Sequence, residues 1–129
     1  VMVHTKKRVR TAKSLKAELD RVFSLWVRHR GIDGNGKNKC VTCGAVKPIA
    51  ELQAGHWHSR RYLATRWEPS NVHVQCPRCN IFLNGNYPSY SRFMYKTYSA
   101  EVMDELHVLH KRVTKLTRAD LEQMIAKYA

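Results

Sequence analysis

Two Cys-x-x-Cys knuckles, Cys40-Val41-Thr42-Cys43 and Cys76-Pro77-Arg78-Cys79, use all four cysteines of the chain. Four thiolates in two close pairs suit one tetrahedral Zn²⁺, with Zn–S bonds of about 2.3 Å and no ligand position left for water. A disulfide pairing is the alternative, but Cys-x-x-Cys doublets without a secretory leader point to metal in a reducing compartment. Such a closed site is a staple. Any chemistry should lie in residues 44–75, which it holds.

At 129 residues the chain reads as one domain with a modest core that a metal would help to stabilise. No apolar run approaches the length of a membrane span. Lys and Arg number 23 against 10 Asp and Glu, a net charge of +13. The natural partner for that surplus is a polyanion, most simply nucleic acid bound through its phosphates.

Residues 1–13 read as a flexible basic arm with Lys6, Lys7, Arg8 and Arg10, followed by a single domain over 14–129. Leu15, Leu19, Val22, Phe23 and Trp26 fall at helical spacing and predict a helix from about 13 to 30. A glycine-rich loop follows over 31–36. Strands are expected at Leu52–Trp57 and Asn71–Gln75, separated by an irregular basic loop over Ser59–Ser70. A short helix should start at Cys76-Pro77. Further helices are expected over Pro88–Thr97 and Ala100–Arg112, and from Thr117, where Asp120 completes a capping box. The fold class is α+β: a zinc-stapled ββα unit over about 40–86, flanked by an N-terminal helix and by C-terminal helices over 87–129.

Between the knuckles the only carboxylates are Glu51 and Glu68, too few for two-metal hydrolysis. Histidine remains. His56 and His58 should share one strand face, and His73 lies on the partner strand. A histidine near neutrality can take a proton from water. Nearby arginines would steady the charge of a phosphorane. His4, His29, His107 and His110 read as surface or helix-face residues. Trp57, Trp67 and Tyr62 are candidates either for base stacking or for the core.

On this motif order the chain resembles the HNH, or His-Me finger, nucleases, with His56, Asn71 and Asn80 in the places of the three signature residues. It is more closely similar to the phage NinG (Rap) recombination protein family, over about residues 15–128. That likeness rests on Cys40-Val41-Thr42-Cys43-Gly44, Ala54-Gly55-His56, Asn71-Val72-His73-Val74-Gln75-Cys76-Pro77-Arg78-Cys79-Asn80 and Gly85-Asn86. Phage endonuclease VII is similar in its His-x-His strand and in the Asn after its last zinc cysteine.

The resemblance implies a structure-selective endonuclease cutting branched DNA, such as Holliday junctions and D-loops, in phage recombination within the host cytoplasm. It implies that His56 activates water, Asn71 orients His56 or its loop, His58 contacts the scissile phosphate and Asn80 binds Mg²⁺ or Mn²⁺. Related enzymes place an Asp just before the basic histidine; here that residue is Gly55. His73 is the preferred replacement ligand, with Glu68 and His58 behind it. Arg60, Arg61, Arg66 and Arg78 join the arm as DNA-binding candidates. A homodimer is expected, since two opposed strands must be cut, and a recombinase is a possible partner. The alternatives are a non-catalytic zinc module that binds DNA and a general HNH nickase.

Overall fold

The computed structural model describes residues 9–129, so Lys6, Lys7 and Arg8 of the expected arm lie outside the described residues. Helix α1 (Ala12–His29) starts where Thr11 accepts a hydrogen bond from the Ser14 amide, the capping that a threonine at this position supplies. Its apolar stripe, Leu15, Leu19, Val22, Phe23 and Val27, is buried. Helix α5 (Arg118–Tyr128) lies against that stripe through Leu121 and Tyr128. Tyr128 meets Phe23 and Trp26 edge-on, with ring centroids 4.8 and 5.0 Å apart. Each fully buried side chain of this size contributes about 1.5–3 kcal/mol, so the contact between α1 and α5 is the main core. The capping box opening α5 forms as the sequence predicts, with Thr117 and Asp120 each accepting from the other's amide.

A hairpin of strands β1 (Lys37–Lys39) and β2 (Val46–Pro48) holds the first knuckle in its turn. Gly44 stands there at φ 79°, a left-handed conformation that glycine adopts without strain. This hairpin has no counterpart in the sequence reading. Strands β3 (Gln53–His56) and β4 (Val72–Gln75) form the expected second hairpin, antiparallel, with Gly55 opposite His73 and His56 opposite Val72. The Val41 amide donates to Val74 O at 3.1 Å and ties the first knuckle to β4.

The segment expected to be irregular over Ser59–Ser70 is partly helical. It contains the single-turn helix α2 (Leu63–Arg66) and ends in a 3₁₀ turn over Pro69–Asn71. Buried Thr65 and Trp67 draw it inward, and Glu68 caps the 3₁₀ turn by accepting from the Ser70 amide.

After β4 the chain turns helically from Pro77, and Arg78–Phe82 is a π-helical turn closed by Leu83 N donating to Arg78 O. Helices α3 (Tyr87–Thr97) and α4 (Ala100–His110) follow at the expected places. They share a separate core of Tyr90, Met94, Met103 and Leu106, with Trp57 packed against it. The architecture is α+β. Among the described residues no helix is long and apolar enough to cross a membrane.

Candidate metal centre and histidine cleft

The four cysteines converge from the β1–β2 turn and from the turn after β4. Their sulfurs all lie within 4.8 Å of one another, and Cys43 Sγ is 3.6 Å from Cys76 Sγ. A tetrahedral zinc with 2.3 Å bonds requires S···S spacings of about 3.8 Å, whereas a disulfide needs about 2.05 Å. The cluster therefore fits one zinc ion. Cys40, Cys76 and Cys79 are buried with Leu52 and Val74, while Cys43 is exposed. Two sulfurs carry supporting hydrogen bonds of the kind that tune metal ligands, Cys79 from Asn86 Nδ2 and Cys40 with the Thr42 hydroxyl.

His56 ends β3, and its Nε2 lies 2.8 Å from Arg66 O. A carbonyl only accepts, so Nε2 carries the proton and Nδ1 is the basic nitrogen. Burial lowers the His56 pKa below its ordinary value, with Arg60 and Arg66 acting in the same direction. The ring is therefore neutral at pH 7. It lines a cleft of about 390 Å³ shared with Asp20, Arg28, Arg60, Trp67 and Asn80. Asn80 spends Nδ2 on Gln53 Oε1 at 2.8 Å, which leaves its Oδ1 as an acceptor.

Asp20 brings to this cleft a carboxylate from α1. It pairs with Arg60 at 2.8 Å, accepts from Arg66 Nε at 3.0 Å and accepts from the Trp67 indole at 3.0 Å. Burial alone would raise its pKa, but Arg66, Arg60 and Trp67 outweigh that and hold it below the ordinary value. No local motif marks Asp20; only the packing of α1 on the β3–β4 hairpin brings it near His56.

Asn71 is fully buried and clamps the loop after β3. Its Oδ1 accepts from the His58 amide at 2.8 Å, and its Nδ2 donates to His58 O and Thr65 O, both at 3.0 Å. His58 itself does not share a face with His56, because β3 ends at His56 and the chain bends there. The His58 ring instead stacks on His110 of α4, with centroids 4.0 Å apart. Burial, then the neighbouring His110 and His107, push its pKa down to about 4.

The structure does not bring His73 into the cleft. Paired with Gly55 rather than His56, it stands on the opposite face of the hairpin, among Tyr90, Phe93 and Tyr98. Tyr90 donates its hydroxyl to Gly55 O at 2.7 Å, so its oxygen accepts from His73 Nδ1–H; Nε2 then accepts from the Tyr98 hydroxyl at 2.7 Å. Both nitrogens are thus engaged, and burial with the Arg30 charge lowers the pKa to about 3. An unfolded chain titrates its histidines near 6.5. His73 therefore contributes stability that is complete above about pH 6.5 and is lost as pH falls toward 3, at about 1.4 kcal/mol per unit. Denaturant titrations of wild type and His73→Gln at pH 7, 6, 5 and 4 should diverge, wild type losing stability more steeply. Parallel slopes would contradict this wiring.

Gly55 is explained by its neighbour. A Cβ at this position would lie 1.8 Å from Gln75 Oε1 and 2.6 Å from its Cδ. Gln75 is fully buried, with Nε2 donating to Thr42 Oγ1 and Gly85 O, while Oε1 has no partner. An acid cannot stand at 55 unless Gln75 moves. Gly55→Ala should cost about 1–3 kcal/mol through overpacking. Urea midpoints should show that Gln75→Ala relieves part of this, so that the double variant is less destabilised than the sum. Strict additivity would rule out the clash as the cause.

Among the remaining candidates, Glu68 uses Oε1 to cap Ser70. Arg10 pairs with Glu18, and Arg61 lies over the Tyr62 ring and donates to its hydroxyl. Arg78 is exposed within the second knuckle.

Residues 2–129 match the family model described as Bacteriophage Lambda NinG protein. The chain belongs to the NinG family. Its relatives include the ninG proteins of Salmonella phage P22, 30% identical over 74 residues, and of Escherichia phage 933W, 29% identical over 90 residues. The ninG protein of Escherichia phage lambda is also 30% identical over 74 residues. These alignments cover 57%, 69% and 57% of this chain and 36%, 44% and 36% of the relatives, so the chain spans less than half the length of the NinG proteins it matches. No solved structure matches it.

Proposed function

We propose that this NinG chain is a divalent-metal-dependent endonuclease for branched DNA, in which β3, β4 and the π-helical turn serve as the ββα unit of a His-Me finger. The observation that carries this reading is His56, kept neutral by burial and fixed in one tautomer by the Arg66 carbonyl, in a cleft shared with Asn80 and with basic Arg28 and Arg60. His56 Nδ1 takes the proton from the attacking water, and the arginines balance the charge gathering on the phosphate. Asn80 Oδ1 is the open side-chain donor in the cleft that would hold Mg²⁺ or Mn²⁺, an ion that would stabilise the leaving 3′ oxygen. Asp20, engaged by Arg60, Arg66 and Trp67, would have to release an arginine to join it. Asn71 positions the loop that carries His58.

The preference for branched substrates draws support from the surplus of positive charge and from Ile81, Phe82 and Leu83, which are exposed directly after Asn80. Apolar side chains of this kind wedge between bases that are already poorly stacked. Resolving a junction takes two opposed cuts, so the working unit is a pair of copies, acting in the host cytoplasm beside a recombinase.

Gly55 favours a second reading, a zinc module that binds DNA without cutting, because Gln75 fills the space where related enzymes carry an acid. Four-way junctions, D-loops and linear duplex incubated with Mg²⁺ or with Mn²⁺ at matched salt separate the readings. Nicking of the branched substrates alone is expected. Salt-sensitive binding with no cleavage under either metal would establish the binding module, and equal cutting of linear duplex a general nickase.

A further inference from the structure

We propose that His58, His107 and His110 form a second metal site, distinct from the cysteine cluster and from the His56 cleft, that takes a zinc-like divalent transition ion. His107 and His110 lie three residues apart on α4, a spacing that puts them on one helix face. Their ring centroids are 5.1 Å apart, and His58 reaches them from the loop after β3, 4.0 Å from His110 and 6.2 Å from His107. One nitrogen of each of the three rings lies within 4.8 Å of the others.

Two of the three residues, His58 and His110, are held in place by their neighbours. Asn71 fixes the His58 backbone through both its amide and its carbonyl. The Tyr62 ring stands perpendicular to His110 at 4.9 Å. His110 Nδ1–H donates to the His107 carbonyl, which leaves Nε2 as the bare nitrogen. A backbone carbonyl is one of the usual partners that set the tautomer of a metal-bound histidine.

The donor set selects the ion. Three imidazoles with no carboxylate suit Zn²⁺, Co²⁺, Ni²⁺ or Cu²⁺, whereas Mg²⁺ and Ca²⁺ take oxygen ligands. Zn–N bonds of about 2.0–2.1 Å bring tetrahedral nitrogens to about 3.3 Å from one another. The stacked His58 and His110 rings, 7° from parallel, must splay to converge on one ion. His107 is exposed and the other two are half-buried, so these rotations are open to them. Three protein ligands leave a fourth position for water or a substrate atom. The bound ion would tie the loop held by Asn71 to α4.

The test uses the full chain loaded with one equivalent of zinc, followed by Co²⁺ titration with absorption spectra and metal analysis. Wild type should take up a second ion whose visible bands lack sulfur-to-cobalt charge transfer. His107→Ala and His110→Ala should each weaken that second uptake by more than about tenfold, the least that loss of an orienting partner alone costs, and leave the first equivalent in place. His107 is exposed, so its variant keeps the fold even if His110→Ala does not. His29→Ala, an exposed histidine on α1, serves as the control and should change nothing. One ion per chain at micromolar Co²⁺, a second ion indifferent to His107→Ala, or equal loss in His29→Ala would each overturn the site. Because metal uptake is the readout, the outcome does not depend on whether the chain cuts DNA.

Discussion

Cys79→Ser is expected to leave a chain that no longer melts cooperatively, and prolonged chelation of the wild-type protein should reach the same state. Cys79 is fully buried in the cysteine cluster, with Cys40, Cys76, Leu52 and Val74. Only Leu52, Val74 and the partly buried Val41, Ala45 and Ile49 pack with these sulfurs, so a bound ion would supply much of the cohesion between the β1–β2 turn and β4. Structural zinc contributes about 10–16 kcal/mol in small metal-bound domains. Whole domains are stable by about 5–15 kcal/mol. Losing the ion is therefore comparable to losing the entire margin. Far-ultraviolet circular dichroism against temperature, with released zinc read by a chromogenic chelator, measures both. One equivalent of zinc should leave in step with the loss of structure. A chelated protein that melts cooperatively at the wild-type temperature would show that the knuckles carry no such load.

For the proposed chemistry the largest effect belongs to His56. Replacing it with alanine should lower single-turnover nicking of a four-way junction by about 10²–10⁴-fold, the range that a positioned base contributes. Junction affinity at the same salt should change little, since the ring is neutral and the arginines remain. The sign of the pH dependence follows from burial, which lowers the His56 pKa. The base is active when unprotonated, so the rate it carries should be level through neutrality and fall only below the ordinary histidine range. A His56→Ala enzyme that cuts as fast as its parent would remove the residue from the reaction and leave the cysteine cluster untouched.

The helices were legible because their stripes are long. Leu15, Leu19, Val22 and Phe23 announce α1 within two turns, and Thr117 with Asp120 marks the start of α5 to the residue. The β1–β2 hairpin was not legible, because Lys37–Lys39 and Val46–Pro48 bury only one residue between them, Asn38. Helix α2 is four residues long and too short to show a period. At the site, the residue types could be read but the faces could not. Strand alternation suggested that His73 could approach His56, whereas the register sets it opposite Gly55. A slip of one residue exchanges the two faces, and nothing local specifies the register. Asp20 reaches His56, and the His107–His110 pair reaches His58, through tertiary packing alone, which spacing along the chain cannot report.

The partition of the fold also orders its assembly. Every cysteine lies between residues 40 and 79, so the candidate zinc site has all its ligands in place by the second knuckle. The stripe on α1 must wait for Leu121 and Tyr128, about a hundred residues further along the chain. Chains emerge from the ribosome in order, and contacts this distant in sequence form slowly. A zinc ion at the cysteines would thus be captured before the main core is complete during synthesis. In that interval Phe23 and Trp26 lack the Tyr128 ring that packs on them, and shortening α5 would make that loss permanent.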